Sequence, residues 1–286
     1  MAVADRTWKP YAGPLTRPRW RFLVLPRHAW QEVFASRMFG LFFALCFFVP
    51  VICAGLIYIR HNVSALAALN VVPTSLPEIN ARMFLAALTL QAQFGFLLAF
   101  LVGPAIVSSD LRNNALPLYL SRPLSRGEYV LGKFCVLAIL LSAISWAPFL
   151  LLFALQSALA DPGWIAANAR IAPAILASSL AWLVFLSLLT LALSAWMRRA
   201  ATARLMMVFV YIVLAGLGNA ANKVLDTRWG DLLDIVKVYK TIWAGAFGLG
   251  DVADLPVAAA WAMLGGFSGL SLLLLWRKVR AAEVVR

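Results

Sequence analysis

The chain has 286 residues, of which 63% are hydrophobic and 13% charged, with a formal net charge of +13. A soluble domain is about one-quarter charged. With 12 acids and 25 bases, most of them in short clusters, a fold of this length cannot clothe itself for water, and a lipid bilayer is the solvent that fits. The basic excess does not mark a nucleic-acid binder, because Lys and Arg flank apolar runs instead of alternating with stacking aromatics on a polar face. The three cysteines, Cys46, Cys53 and Cys135, lie in or beside apolar runs without metal-ligand spacing and read as small apolar side chains.

Residues 1–37 hold no continuous apolar core of the signal-peptide kind, since Arg17, Arg19, Arg21 and Arg27 interrupt it, so the N-terminus is expected to stay uncleaved on the cytosolic side. Between Pro26 and Arg37, Ala29, Trp30, Val33 and Phe34 recur at helical spacing while Arg27, His28, Gln31 and Glu32 fall elsewhere. This predicts an amphipathic interfacial helix on the inner leaflet; membrane anchor and partner-docking surface fit it equally.

Six segments then reach the roughly 20 mostly apolar residues that a spanning helix needs. They fall near 38–59, 83–108, 131–158, 173–196, 204–221 and 255–276, which predicts an all-α integral membrane protein with a six-helix domain over 38–276 and a basic tail over 277–286. The fifth is the weakest, because Arg204 opens it and Gly216, Gly218 and Asn219 loosen its far end. With both termini on one face, 18 of the 25 Lys and Arg lie on that face, which places both termini in the cytoplasm. Residues 222–254 form the long outer connection, in which Leu232, Leu233, Val236, Tyr239 and Ile242 or Trp243 make an apolar stripe opposite Asp231, Asp234, Lys237 and Lys240. An outer-face helix packed on the bundle is expected there.

The spans carry almost no ionisable groups, which argues against a proton relay. Gln91 and Gln93 differ by about 200° around a helix and cannot share one pathway, so interhelical hydrogen bonding is their expected role. Gly265 and Gly269 form a G-x-x-x-G stripe suited to helix packing inside the subunit or across a dimer, of which internal packing is the expected use.

The connection from Ser108 to Phe134 reads S-S-D-L-R-N-N-A-L-P-L-Y-L-S-R-P-L-S-R-G-E-Y-V-L-G-K-F. Ser108, Ser109 or Asp110 is expected to cap a short helix that Pro117 and Pro123 then interrupt. The result is a knob with apolar ridges and basic edges, shaped for a cleft in a soluble partner. Within it, D-L-R-x-x-x-L-P-L-Y-L-S-R-P-L-S-R-x-E-Y-V-L-G-K between the second and third of six spans resembles the permease subunits of ABC-2 type ATP-binding cassette transporters. Where many of those permeases carry a Gly-Thr pair after Asp-Leu-Arg, this chain has Asn113, Asn114 and Ala115.

The resemblance implies that this loop holds a coupling helix resting on a cytosolic ABC ATPase subunit. Asp110, Leu111, Arg112, Leu118, Tyr119, Arg122, Pro123, Arg126 and Glu128 would then contact that partner or brace the loop. It further implies an exporter in a bacterial inner membrane, working with a second permease copy or paralogue. The alternative is a subunit that moves no substrate and transmits ATPase motion to an outer-face partner. G-E-Y-V-L-G-K-F, from Gly127 to Phe134, fits G-x-x-x-x-G-K but puts Phe134 where Ser or Thr should hold Mg²⁺, and it precedes a membrane helix, not a strand–loop–helix unit. No catalytic, cofactor or metal site is expected here; ATP and Mg²⁺ belong to the partner ATPase.

Overall fold

The computed structural model describes residues 24–62, 76–113, 125–197, 199–250 and 255–278. Among them there is no β-strand, and six helical stretches are long and apolar enough to cross a membrane. The elements in chain order are α1 (Val24–Phe34), α2 (Arg37–Leu45), α3 (Phe48–His61), α4 (Ala81–Arg112), α5 (Arg126–Ile144), α6 (Trp146–Leu159), α7 (Pro162–Asn168), α8 (Ile171–Trp196), α9 (Ala200–Leu225), a 3-10 turn (Trp229–Leu233), α10 (Ile235–Phe247) and α11 (Val257–Lys278). The spans are α2 with α3, α4, α5 with α6, α8, α9 and α11.

Three of these spans carry an internal proline, which removes an N–H and crowds the carbonyl four residues earlier. In the first span Pro50 frees the carbonyl of Cys46, where α2 ends and α3 follows, and Gln91 of α4 donates its Nε2 to that oxygen at 2.8 Å. In the third span Pro148 frees Ile144, and the chain breaks at Ser145, whose φ and ψ are −106° and −102°. The second span stays one helix through Pro104 and is treated with the site below.

The centre of the bundle is α8, two-thirds buried (67%) and packed chiefly on α4 and α11. Helices cross closely where one of them lacks a side chain. A Cβ on Gly95 would overlap the ring of Trp182, and one on Gly103 would overlap the methyl of Thr190. These contacts recur eight residues apart on both helices, so α4 and α8 lie against each other over more than two turns.

The fifth span is one unbroken helix of 26 residues. Gly218 does not loosen it; its bare backbone lets Gly230 of the 3-10 turn approach, and a Cβ on either would overlap the other's carbonyl oxygen. Asn222 locks this crossing by accepting from the Gly230 N–H at 2.7 Å and donating to Asp231 at 2.8 Å. Asp231 also pairs with Lys237 at 2.7 Å, so it is part of a buried joint and not of a solvated face.

At 13 residues, about 20 Å long, α10 is too short to cross a bilayer. Asp234 caps its first turn by accepting from Val236 and Lys237, and Gly248 ends it at φ 77°. Arg170, at the start of α8, donates to the terminal carbonyls of Gly245 and Ala246. The expected stripe is real in α10, with Tyr239, Ile242 and Trp243 buried, and it faces inward against α4, α8 and α11.

Candidate functional site

The candidate coupling segment is flanked by the last turn of α4 and the first turns of α5. At 32 residues α4 is about 48 Å long, well beyond a hydrocarbon core of about 30 Å, so it is longer than a span requires. The expected helix cap at Ser108, Ser109 or Asp110 does not form, because α4 runs through all three to Arg112. Ser108 and Ser109 instead bond back to the carbonyls of Pro104 and Ala105. Continuous helix turns Asp110 inward, where its residue exposure is 9%.

Asp110 meets α5 there. Its Oδ2 accepts from the Tyr129 hydroxyl at 2.8 Å and from the Lys133 ammonium at 2.8 Å, and Lys133 also lies 5.6 Å from the Tyr129 ring centre. Tyr129 and Lys133 are one helical turn apart and so present the two donors side by side. A carboxylate near a helix C-terminus opposes the helix dipole, and Lys133 offsets that charge. The Gly127–Phe134 segment is thus the opening of α5, with its backbone N–H groups turned into a helix and its lysine engaged by Asp110.

The start of α5 is fixed by a capping box. The Ser125 hydroxyl accepts from the Glu128 N–H at 3.2 Å, and the Glu128 carboxylate accepts from the Ser125 N–H at 2.7 Å. Leu111 is half-buried against the core, whereas Arg112 and Arg126 are exposed on the two sides of the loop. Leu118, Tyr119, Arg122 and Pro123 lie outside the described residues. The interfacial helix expected before the first span is α1, with Ala29, Trp30 and Val33 against the core and Trp30 Nε1 donating to the Val136 carbonyl of α5 at 3.3 Å. Its Phe34 meets Phe39 and Phe43 of α2 edge-on, so α1 ties the third span to the first.

Two turns above Asp110, Pro104 leaves the Phe100 carbonyl without its helical donor. Arg204, at the start of α9, donates Nε to Phe100 and Nη2 to Leu101, at 3.3 and 3.1 Å. From α8 the Ser194 hydroxyl donates to the Pro104 carbonyl at 2.8 Å and accepts from the N–H groups of Val107 and Ser108 at 3.1 and 3.0 Å. The backbone of α4 around Pro104 is therefore held by two neighbouring helices. Sequence reasoning did not single out Pro104, Ser194 or this use of Arg204; the only signal was a proline inside a long apolar run.

Nearer the opposite end, Gln93 of α4 donates to the Tyr239 hydroxyl of α10 at 3.3 Å, and Trp243 of α10 donates to the Ser178 carbonyl of α8 at 3.0 Å. Burial pushes the Tyr239 hydroxyl up to about 12, with the Gln93 bond opposing and the Asp234 charge adding to the shift, so it stays neutral. Both glutamines thus bond to other helices, Gln91 to the first span and Gln93 to α10, on different sides of α4. Gly265 and Gly269 lie on an exposed face of α11, where a Cβ on either meets nothing within 4 Å, so they form no close contact among the described residues.

A bundle of six apolar stretches, each long enough to span a bilayer, with the end of the second and the start of the third tied by Asp110, Tyr129 and Lys133, defines a multi-pass α-helical membrane protein. Over residues 28–275 the sequence matches the family described as ABC-2 family transporter protein, and the chain belongs to that family. It is accordingly a membrane subunit of an ABC transporter, and the match spans α1 as well as the six spans. No curated protein matches the sequence.

Proposed function

We propose that the chain is the permease subunit of an ABC exporter, in which separate cytosolic ATPase subunits bind ATP and Mg²⁺ and engage the 109–129 segment. The observation that carries this reading is the Asp110–Tyr129–Lys133 joint, which ties the two stems of that segment into one lever. Both termini and the segment face the cytoplasm of a bacterial inner membrane, in keeping with the distribution of Lys and Arg. A second permease copy or paralogue completes the pathway.

In this mechanism ATP-driven approach of the ATPase subunits pushes on the loop, and the joint passes the push to α4 and α5 together. The glycine contacts at 95 and 103 make α8 follow α4. At the other end Tyr239 and Trp243 hang α10 from this pair, so the motion shifts α10 and opens or shuts the exit. The inward direction of the α10 stripe supports this reading, because Tyr239, Ile242 and Trp243 are used inside the bundle.

Co-purification with the ATPase subunit tests the reading. Arg122→Glu with Arg126→Glu reverses the basic edge of the loop and is expected to weaken complex formation and lower ATP hydrolysis, while the variant alone stays folded in detergent. Unchanged complex and unchanged hydrolysis would remove the coupling assignment.

A further inference from the structure

The helices α8 and α11 run the same way through the bundle: Phe185 meets Phe267, and further on Trp196 meets the last turns of α11. Ser194 of α8 bonds Ser108 of α4, so this is the end of the bundle that carries the 109–129 segment. Trp196 is half exposed there, and so is Trp276 of α11. Exposed tryptophans at the ends of apolar helices sit at the depth of lipid headgroups, and the two rings mark that level.

The Trp196 ring is itself held, and it holds a cation. Its Nε1 donates to the Leu274 carbonyl at 3.2 Å, and the Lys278 ammonium, one turn after Leu274, stands 5.2 Å from the ring centre. A ring face attracts an ammonium without neutralising it, so the contact fixes where the charge of Lys278 sits. Beside it, Arg277 shares a helix face with Leu270 and Leu273, at i, i+3 and i+7, and all three are exposed. On the α8 side, Arg199 is exposed three residues beyond Trp196.

These cations lack a counter-charge. None of Arg199, Arg277 and Lys278 pairs with a carboxylate among the described residues; at the same end of the bundle Asp110 is taken by Lys133, and Glu128 by the Ser125 cap. The C-terminal ends of α8 and α11 bring about half a negative charge each, which leaves an excess of about two positive charges. A ligand that answers both the charge and the apolar face below it is an anion on an apolar body. We propose that the seam between α8 and α11 binds an acidic phospholipid, its phosphodiester between Lys278 and Arg277 and an acyl chain along Leu273 and Leu270. A soluble anion would leave the leucines unused, and a zwitterionic phospholipid would bring its own cation to a site already rich in them. The proposal does not rest on the coupling mechanism, and it concerns this chain without its ATPase.

Native mass spectrometry of the full-length chain, released from nanodiscs of chain-matched phosphatidylglycerol, phosphatidylcholine and phosphatidylethanolamine in equal parts, tests it. Phosphatidylglycerol is expected to be retained about tenfold over each of the others, the scale of one or two basic side chains at a membrane surface. Arg277→Gln with Lys278→Gln is expected to erase that preference with the melting temperature unchanged. Trp196→Leu keeps the charges but releases the ammonium, so the preference is expected to fall about threefold, and Trp196→Phe, which keeps a ring face, is expected to retain more of it. Arg27→Gln with Arg37→Gln removes two exposed charges elsewhere at the same end and is expected to leave the preference intact. Equal retention in the wild type, an undiminished preference without Arg277 and Lys278, or an equal loss without Arg27 and Arg37 each overturns the site. Displacement of the lipid by inorganic phosphate but not by chloride at equal ionic strength overturns the lipid as occupant.

Discussion

Asp110→Asn is the sharpest test of the lever. The substitution keeps the shape of the side chain and removes the charge that Lys133 faces at 2.8 Å, inside a joint where the two side chains are only 12% and 10% exposed. At that separation the gross attraction is about 6 kcal/mol for an effective dielectric near 20. Desolvation cancels part of it, and breaking a buried pair from one side costs about 3–5 kcal/mol. We expect the lower end of that range, about 3 kcal/mol, because the joint sits near the membrane surface. Lys133→Met is expected to cost a similar amount by stranding Asp110.

Removing the whole joint separates stability from function. Asp110→Leu with Tyr129→Phe and Lys133→Met leaves no stranded charge and no hydroxyl deprived of its Asp110 acceptor, so most of the lost stability is expected to return. What does not return is a directional tie between α4 and α5. Thermal denaturation of the purified chain, followed by size exclusion, reads the first quantity; ATP hydrolysis by the assembled complex, with and without the membrane subunit, reads the second. A triple variant as unstable as Asp110→Asn would refute the buried-pair argument. A triple variant that is stable and also regulates hydrolysis normally would refute the lever.

The tight crossings and bends make further tests. Gly103→Ala is expected to destabilise the chain by about 1–3 kcal/mol through overlap with Thr190, and Thr190→Ser, which removes the clashing methyl but keeps the hydroxyl bonded to Leu186, is expected to restore part of it in melting experiments. Arg204→Leu uncovers the Phe100 and Leu101 carbonyls and is expected to cost about 1–3 kcal/mol. Adding Pro104→Ala supplies the missing N–H to Phe100 and should recover stability while straightening α4, so hydrolysis in the complex should fall even as the melt recovers. Tyr239→Phe breaks the tie to Gln93 and is expected to lower stability by about 1 kcal/mol, with a larger effect on transport than on complex formation.

The number of spans was legible because each is an apolar run of the required length, and α1 was legible from the spacing of Ala29, Trp30 and Val33. The orientation of α10 was half legible: its stripe was visible, but the sequence does not say that Trp243 reaches Ser178 of another helix. Asp110 shows where local reasoning stops. Read alone, an acid after two serines looks like a cap, yet the apolar run before it carries helix straight through to Arg112, and only the arrival of α5 gives the buried carboxylate its donors. Tyr129 and Lys133, spaced one turn apart, were the available sign that α5 offers a two-donor face.

The prolines make the bends of this bundle collective. Pro50 exposes a carbonyl of the first span, and the second span supplies its donor through Gln91. Pro104 exposes the Phe100 carbonyl in the second span, and the fifth supplies its donor through Arg204, while Ser194 of the fourth bonds the Pro104 carbonyl itself. A helix that satisfies its own backbone can flex without consulting its neighbours, but here a change in the bend of α4 alters bonds to α8 and α9 at once. Because a carbonyl in hydrocarbon loses several kcal/mol without a donor, the bundle cannot relax one bend alone. Under the proposed mechanism a push on α4 would shift its bonds to α8 and α9 together, and the short α10, bonded to both α4 and α8, is where those shifts would meet.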